Sequence, residues 1–223
     1  MKKIMFNDKY SLTQAVLDGR KTMTRRMAAI QPPYKNSEIC FPTVLLLEDE
    51  PEKHPLWLAY CWRNKDNPGK STPWIKPKYK KGEVVAIAQS YKDLGYSPEE
   101  PLQEEAGYYP HIKDASGWTN KMFVRADIMP HHIRITDIKI ERLQDISDED
   151  CLREGVELNT RQYEYDGTKK YCVCGLGHWR AIGCTDFDTP REAFAALIDK
   201  VSGKGTWAVS YTHLRAHETE ADL

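Results

Sequence analysis

The chain predicts an α+β domain, a small barrel-like fold with short flanking helices rather than a doubly wound sheet. Three observations carry that reading. Short strands are interleaved with a few short, capped helices, two polar Pro- and Gly-containing insertions separate them, and no internal repeat is present.

A strand near Lys3 to Phe6 comes first. Ser11 then caps a helix whose apolar positions Leu12, Ala15 and Val16 fall at i, i+3 and i+4, and Gly19 supplies a left-handed stop. A basic turn follows, and an irregular insertion containing Pro and Trp occupies residues 31–78. Lys81-Gly82 introduces a strand over Glu83 to Gln89, and a second insertion, with Gly95, Pro98, Pro101 and Gly107, spans 92–120. Extended segments at Phe123 to Ala126 and Ile133 to Leu143 lead to a helix capped by Ser147, acidic in its first turn and stopped by Gly155. A hairpin across Tyr163 to Val173, turned at Asp166-Gly167, precedes a last helix over Pro190 to Val201. That helix has Pro190 in its first turn and a stripe of Phe194, Leu197, Ile198 and Val201.

With 223 residues, 40% hydrophobic and 29% charged, the chain is long enough to bury one real core. Its formal net charge of −1 argues against a general nucleic-acid coat, although residues 1–27 carry seven Lys/Arg against two Asp. A small nucleoside or a local RNA feature suits that balance better than long duplex DNA. No run of eighteen apolar residues and no signal-peptide pattern is present, so a cytoplasmic protein with reduced cysteines and no membrane partner is expected. Cys172, Cys174, His178 and Cys184 cluster, but Cys-x-Cys-x3-His-x5-Cys is not a standard zinc spacing, and no metal is expected there. The Ser202 to Trp207 string lacks the upstream glycine of a phosphate-binding loop, and Gly175-Leu-Gly177 has Arg180 where a dinucleotide fingerprint wants glycine. No cofactor is therefore expected.

The most informative segment is Leu17 to Met27, which places Arg20, Lys21, Arg25 and Arg26 with Thr22 and Thr24 just after the first helix. Such a run is ordinarily a solvated turn. Here a second segment, Ile138 to Val156, brings a capped helix that ends on Glu154, a carboxylate available to the cations. Lys21 and Thr24 share a face only if the chain keeps turning, so a turn or helical loop at the rim of a pocket is expected.

Together these segments resemble the ASCH domain family, whose fold is a PUA-like β-barrel. The family's Gly-x-Lys motif stands here as Gly19 and Lys21, followed by Thr24, Arg25 and Arg26, with a later strand and short helix at Arg134 to Glu154. Phage and prophage members look most similar: they share Lys-Thr-x-Thr-Arg-Arg, the Met129-Pro130 pair and the run Glu141 to Ser147. The likeness spans Lys2 to Trp207 and is weak over the two insertions. One small bacterial member removes the acetyl group from N4-acetylcytidine with a lysine, a threonine and a glutamate, and the resemblance carries these roles onto Lys21, Thr24 and Glu154. On that reading Lys21, crowded by Arg20, Arg25 and Arg26, has a lowered pKa and activates Thr24 or a water, while Glu154 orients it or shuttles a proton. The competing reading keeps the pocket without the reaction: Arg20, Arg25 and Arg26 contact RNA or its phosphates and Trp118 or Trp179 stacks on a base, as in a binding module for single-stranded RNA or a modified base.

The carboxyl-terminal segment from Val209 to Thr219 resembles an in-frame translation of a transposase sequencing adapter. Residues 208–223 are accordingly read as a non-native tail standing where family members have a closing strand. Its Arg215 against Glu218, Glu220 and Asp222 gives the tail a net −2, which leaves +1 for residues 1–207. An unpaired sheet edge and an unstable chain are expected; cooperative unfolding in urea, with the tail protected in the sheet, would overturn that expectation.

Overall fold

The computed structural model describes residues 1–27, 30–33, 36–45, 57–75, 77–104, 107–139, 141–176, 185–209, 211–212 and 216–217. Strand β1 (Lys3–Ile4) leads through a one-turn 3-10 helix at Asp8–Tyr10 to helix α1 (Leu12–Leu17) and strand β2 (Met23–Thr24). A long hairpin, β3 (Ser37–Leu45) and β4 (Trp57–Asn64), precedes β5 (Val84–Ile87) and a short hairpin, β6 (Leu102–Glu104) and β7 (Gly107–Tyr109). Then come β8 (His132–Arg134), β9 (Glu141–Arg142), helix α2 (Asp148–Arg153), β10 (Glu157–Leu158), helix α3 (Thr160–Asp166) and β11 (Tyr171–Cys172). Helices α4 (Pro190–Ser202) and α5 (Thr206–Val209) and strands β12 (Tyr211–Thr212) and β13 (Ala216–His217) complete the order.

The predicted α+β class is observed, as several small sheets with short helices. Among the described residues the ladders do not close into a barrel. The central sheet has the order β1-β5-β8: Lys3 and Ile4 lie parallel to Ala86 and Ile87, and Val84 to Ala86 run antiparallel to Arg134 to His132.

Strand β5 is buried on both faces, and its period-2 alternation divides the molecule. Val85 and Ile87 enter the main core with Ile4, Val16, Leu143 and Phe194. Ala86 and Ala88 face the other way, onto a second core of Tyr91, Ile112, Val124 and Met129. Ile112 of the 92–120 segment docks on that face, with Leu94, Leu102 and Trp118 packed against it, while most described residues of the segment stay exposed.

Helix α4 closes the main core. Thr189 accepts the Glu192 N–H at 3.2 Å, Pro190 sits in the first turn, and Phe194, Leu197 and Ile198 are buried as the stripe requires. Val201 is 43% exposed, because the stripe drifts off the core by the last turn.

Several expectations need correction. Ser11 does not cap α1 with its side chain; it adopts a left-handed conformation at φ 52°, and Asn7 caps the preceding turn by accepting the Lys9 N–H. Among the described residues of the 31–78 insertion, expected to be irregular, β3 and β4 form a ladder to which Ser71 and Ile75 add bridges. Phe123 to Ala126 is a turn running into a 3-10 helix at Ala126–Ile128, and the strand expected over Ile133 to Leu143 is divided into β8 and β9. The hairpin expected over Tyr163 to Val173 is instead β10 paired with β11, with α3 inserted as its connection. Tyr163 and Tyr165 alternate in the sequence as in a strand, but the seven residues Thr160–Asp166 are helical.

The edge expected to stay open is paired at two places. Tyr211 and Thr212 lie antiparallel to Arg142 and Glu141, and Ala216 and His217 to Thr24 and Met23. A ladder bonds backbone to backbone, so an open edge accepts extended chain of almost any sequence.

Gly175 makes the tightest backbone approach. Its φ is +77°, and a Cβ there would stand 2.2 Å from the Lys9 carbonyl oxygen. Gly175→Ala is expected to lower stability by about 1–3 kcal/mol, read as a reduced urea midpoint with an unchanged m-value.

Candidate functional site

The site begins where α1 stops. Gly19, at φ 71°, reverses the chain, and the Lys21 N–H then donates to the Ala15 carbonyl at 2.8 Å. The next amide, Thr22 N–H, donates to Arg153 O at 3.0 Å, fastening the basic segment to the end of α2. Helix α2 is itself set by Ser147, which accepts the Asp150 N–H at 3.1 Å. The helix ends at Glu154, followed by Gly155 at φ 99°. A Cβ on Gly155 would crowd Leu12 Cδ2 at 3.2 Å and make ordinary contact with Lys21 Cδ at 3.7 Å, so it is the left-handed backbone and the leucine that call for glycine here.

Lys21 and Glu154 meet. Nζ donates to Glu154 Oε2 at 2.7 Å, to the Glu154 carbonyl at 2.9 Å and to the Met23 carbonyl, which fills the three donors of an ammonium. Both side chains are nearly inaccessible, at 2% and 4% exposure. Of the three arginines expected to crowd Lys21, Arg20 and Arg26 bond other groups, while Arg25 shares the Glu154 carboxylate with it; the direct partners of Lys21 are all acceptors.

Arg25 is the deepest of those cations, with 1% of its side chain exposed. Its guanidinium bonds Glu141 through Nε at 3.1 Å and through Nη2, reaches Asp150 at 3.3 Å through Nη2, and reaches Glu154 Oε1 at 3.3 Å through Nη1. Burial opposes its charge, yet the Glu154, Glu141 and Asp150 carboxylates outweigh that and raise its pKa above the ordinary arginine value. From outside, Lys139 Nζ approaches Glu141 at 2.7 Å and Arg153 lies 4.0 Å from Asp150. Arg25 is thus committed to the protein's own carboxylates and is not placed as a phosphate contact.

Arg20 and Arg26 differ again. Arg20 is exposed, bonds Asp18 at 2.9 Å and Glu157, and does not line the cavity. Arg26 lines it, donates through Nη2 to Met5 O, and lies 5.8 Å from the Phe6 ring centroid, while its buried Nε has no hydrogen-bond partner.

These groups border a cavity of about 440 Å³. Lys21, Thr24, Arg25, Arg26 and Glu154 supply its polar side, and Phe194, Leu197, Ile198 and Val201 of α4 an apolar wall. Thr24 lies in the extended pair β2 and not in the expected turn. It shares the cavity with Lys21 because the lysine stem curls back along the chain to Met23 O. At the mouth, Lys121 Nζ donates to Asp8 Oδ1 at 2.6 Å and to Phe6 O at 2.6 Å. A pocket read as basic is therefore largely charge-compensated.

Sequence reasoning missed Glu141, Asp150, Lys121 and the α4 wall. Glu141 stands two residues before the buried Leu143, and face-sharing in an extended chain was a signal for it. Asp150 looks like any first-turn helix acid, and Lys121 enters from beyond the second insertion, so neither has a local signal. Trp118 is half-buried against the second core and does not line the cavity; Trp179, His178 and Cys184 lie outside the described residues. Of the cysteine cluster, Cys172 is buried and Cys174 exposed, with Ser11 Oγ 3.3 Å from Cys174 Sγ.

Arg25→Met removes the cation that three buried carboxylates share. A loss of about 3–5 kcal/mol is expected in urea denaturation, whereas Arg20→Met, at an exposed ion pair, is expected to cost no more than about 1 kcal/mol.

No protein family, curated protein or solved structure was matched by the chain.

Proposed function

We propose that the chain is a PUA-like, ASCH-type domain that holds a nucleoside in the cavity beside Lys21 and hydrolyses an N-acyl amide such as that of N4-acetylcytidine. The observation that carries the reading is the buried Lys21–Glu154 pair, with Thr24 on the same cavity. Charge compensation supports a neutral, planar base over a phosphate chain, since Lys21, Arg25 and Lys121 are each occupied by carboxylates. An apolar wall facing a few convergent polar groups is the common form of a small-ligand site.

Amide hydrolysis needs a nucleophile, a base for its proton and an acid for the leaving amine. In the proposed sequence Lys21 passes a proton to Glu154 across the 2.7 Å contact and then takes the proton of Thr24 or of a water. The oxygen attacks the acyl carbon. Glu154 returns its proton to the departing exocyclic nitrogen; attack by water yields acetate directly, whereas an acyl-Thr24 ester is released by a second round of the same proton transfers, with a water as nucleophile and the Thr24 oxygen as leaving group. Arg25, bonded to Glu154 Oε1, keeps that carboxylate turned toward Lys21.

One observation favours a second reading, that of a binding module for a modified base or single-stranded RNA. All three Lys21 donors are filled by protein acceptors, which suits a structural strut as well as a proton carrier.

Acetate release from N4-acetylcytidine separates the two readings. The amidohydrolase predicts turnover that falls at least about a hundredfold in Thr24→Val and in Lys21→Arg, both measured on variants with unchanged circular dichroism. A folded protein that binds the nucleoside but releases no acetate, with Thr24→Val binding as well as the parent, establishes the binding module instead.

A further inference from the structure

Cysteine chemistry lies outside the cavity and is independent of it. The β3–β4 ladder sets Cys40 directly opposite Cys61, one rung from Ile39 and Trp62. Two rungs along on the same face, Arg63 Nε donates to Glu38 Oε1 at 2.6 Å, which fixes the register from the side chains as well as the backbone.

Backbone directions give the spacing. Tyr60 exchanges both of its backbone bonds with Ile75, at 3.0 and 2.7 Å, on the far side of β4. Cys61, the next residue, therefore turns its backbone groups toward Cys40. Residues that exchange bonds across an antiparallel pair have Cα atoms about 5.5 Å apart, inside the range a disulfide spans, while their Cβ atoms stand at the wide end of cross-strand spacing and must close by about 1 Å for the bond to form. The register then shifts between Cys40 and Thr43, around Pro42, so Cys40 ends the regular run and has backbone slack on one side.

The two thiols are hydrogen-bonded and unequal. Cys40 is partly exposed and Cys61 buried, and burial, with the Cys40 contact, pushes the Cys61 thiol up to about 11. Arg63 on the same face acts in the opposite direction.

We propose that Cys40 and Cys61 form a disulfide-forming pair, a covalent modification site whose co-reactant is a low-molecular-weight disulfide. The Cys40 thiolate attacks one sulfur of the oxidant, forms a mixed disulfide and expels one thiolate. Cys61 then loses its proton and attacks Cys40 Sγ, expelling the second thiolate. Two thiols are oxidised, one disulfide is reduced to two thiols, and the hairpin is closed across its ladder. Cys151, buried and with its thiol pushed up to about 12, is inert by comparison.

The test uses the full chain equilibrated with oxidised glutathione, quenched by alkylation and mapped by peptide mass. A Cys40–Cys61 linked peptide, lacking two hydrogens and restored by dithiothreitol, is expected. Cys61→Ser is expected to hold glutathione on Cys40 in place of the link. Any of three results overturns the proposal: both thiols remaining alkylatable while Cys174 is oxidised, glutathione persisting on Cys40 of the parent chain, or a link from either residue to another cysteine. Acetate release plays no part in the readout, so failure here leaves the reading of the cavity untouched.

Discussion

Arg25 holds the site together. One guanidinium with almost no exposure joins β2 to β9 through Glu141 and to α2 through Asp150 and Glu154. Taking an arginine and three carboxylates out of water costs several kcal/mol per ion, and only close, multiple hydrogen bonds offset it. The arrangement is costly to break and costly to distort. Glu154 answers to two buried cations, Arg25 on one oxygen and Lys21 on the other. Whatever the cavity binds meets a lysine whose partner is already fixed.

The same constraint decides which ligands the cavity suits. A phosphate-binding groove needs cations with free donors facing solvent, and here the basic residues at the site mostly face acids of the same chain. Arg26, stacked near Phe6, keeps a donor without a partner. The apolar face of α4 opposite it favours something flat and weakly charged. Polar selection then rests on Lys21, Thr24 and Glu154.

Much of this was legible in the sequence, and the reasons are local. Gly19, Ser147, Gly155 and Pro190 mark element ends through backbone geometry and capping, which neighbouring residues determine. Lys21, Thr24 and Glu154 came from the resemblance to the ASCH family, and all three line one cavity. What was not legible depends on partners distant in sequence. The burial of Arg25 requires Glu141 and Asp150, the order within 31–78 requires pairing of strands separated in sequence, and the docking of Ile112 requires the alanine face of β5. Short strands suffer most: β2, β9, β10 and β11 are two residues each, too brief for an alternation to register. Tertiary contact, not propensity, makes them extended.

The Lys21–Glu154 contact joins residues 133 apart and the Arg25–Glu141 contact residues 116 apart. Closing such loops costs chain entropy before any bond repays it, and contacts of this separation slow folding. Every piece of the polar side is supplied by a stretch that is inert alone, so the site comes into being only at the end of assembly. A nascent chain still lacking α2 carries the basic segment as bare positive charge, and its neutralisation marks the moment at which the domain has become whole.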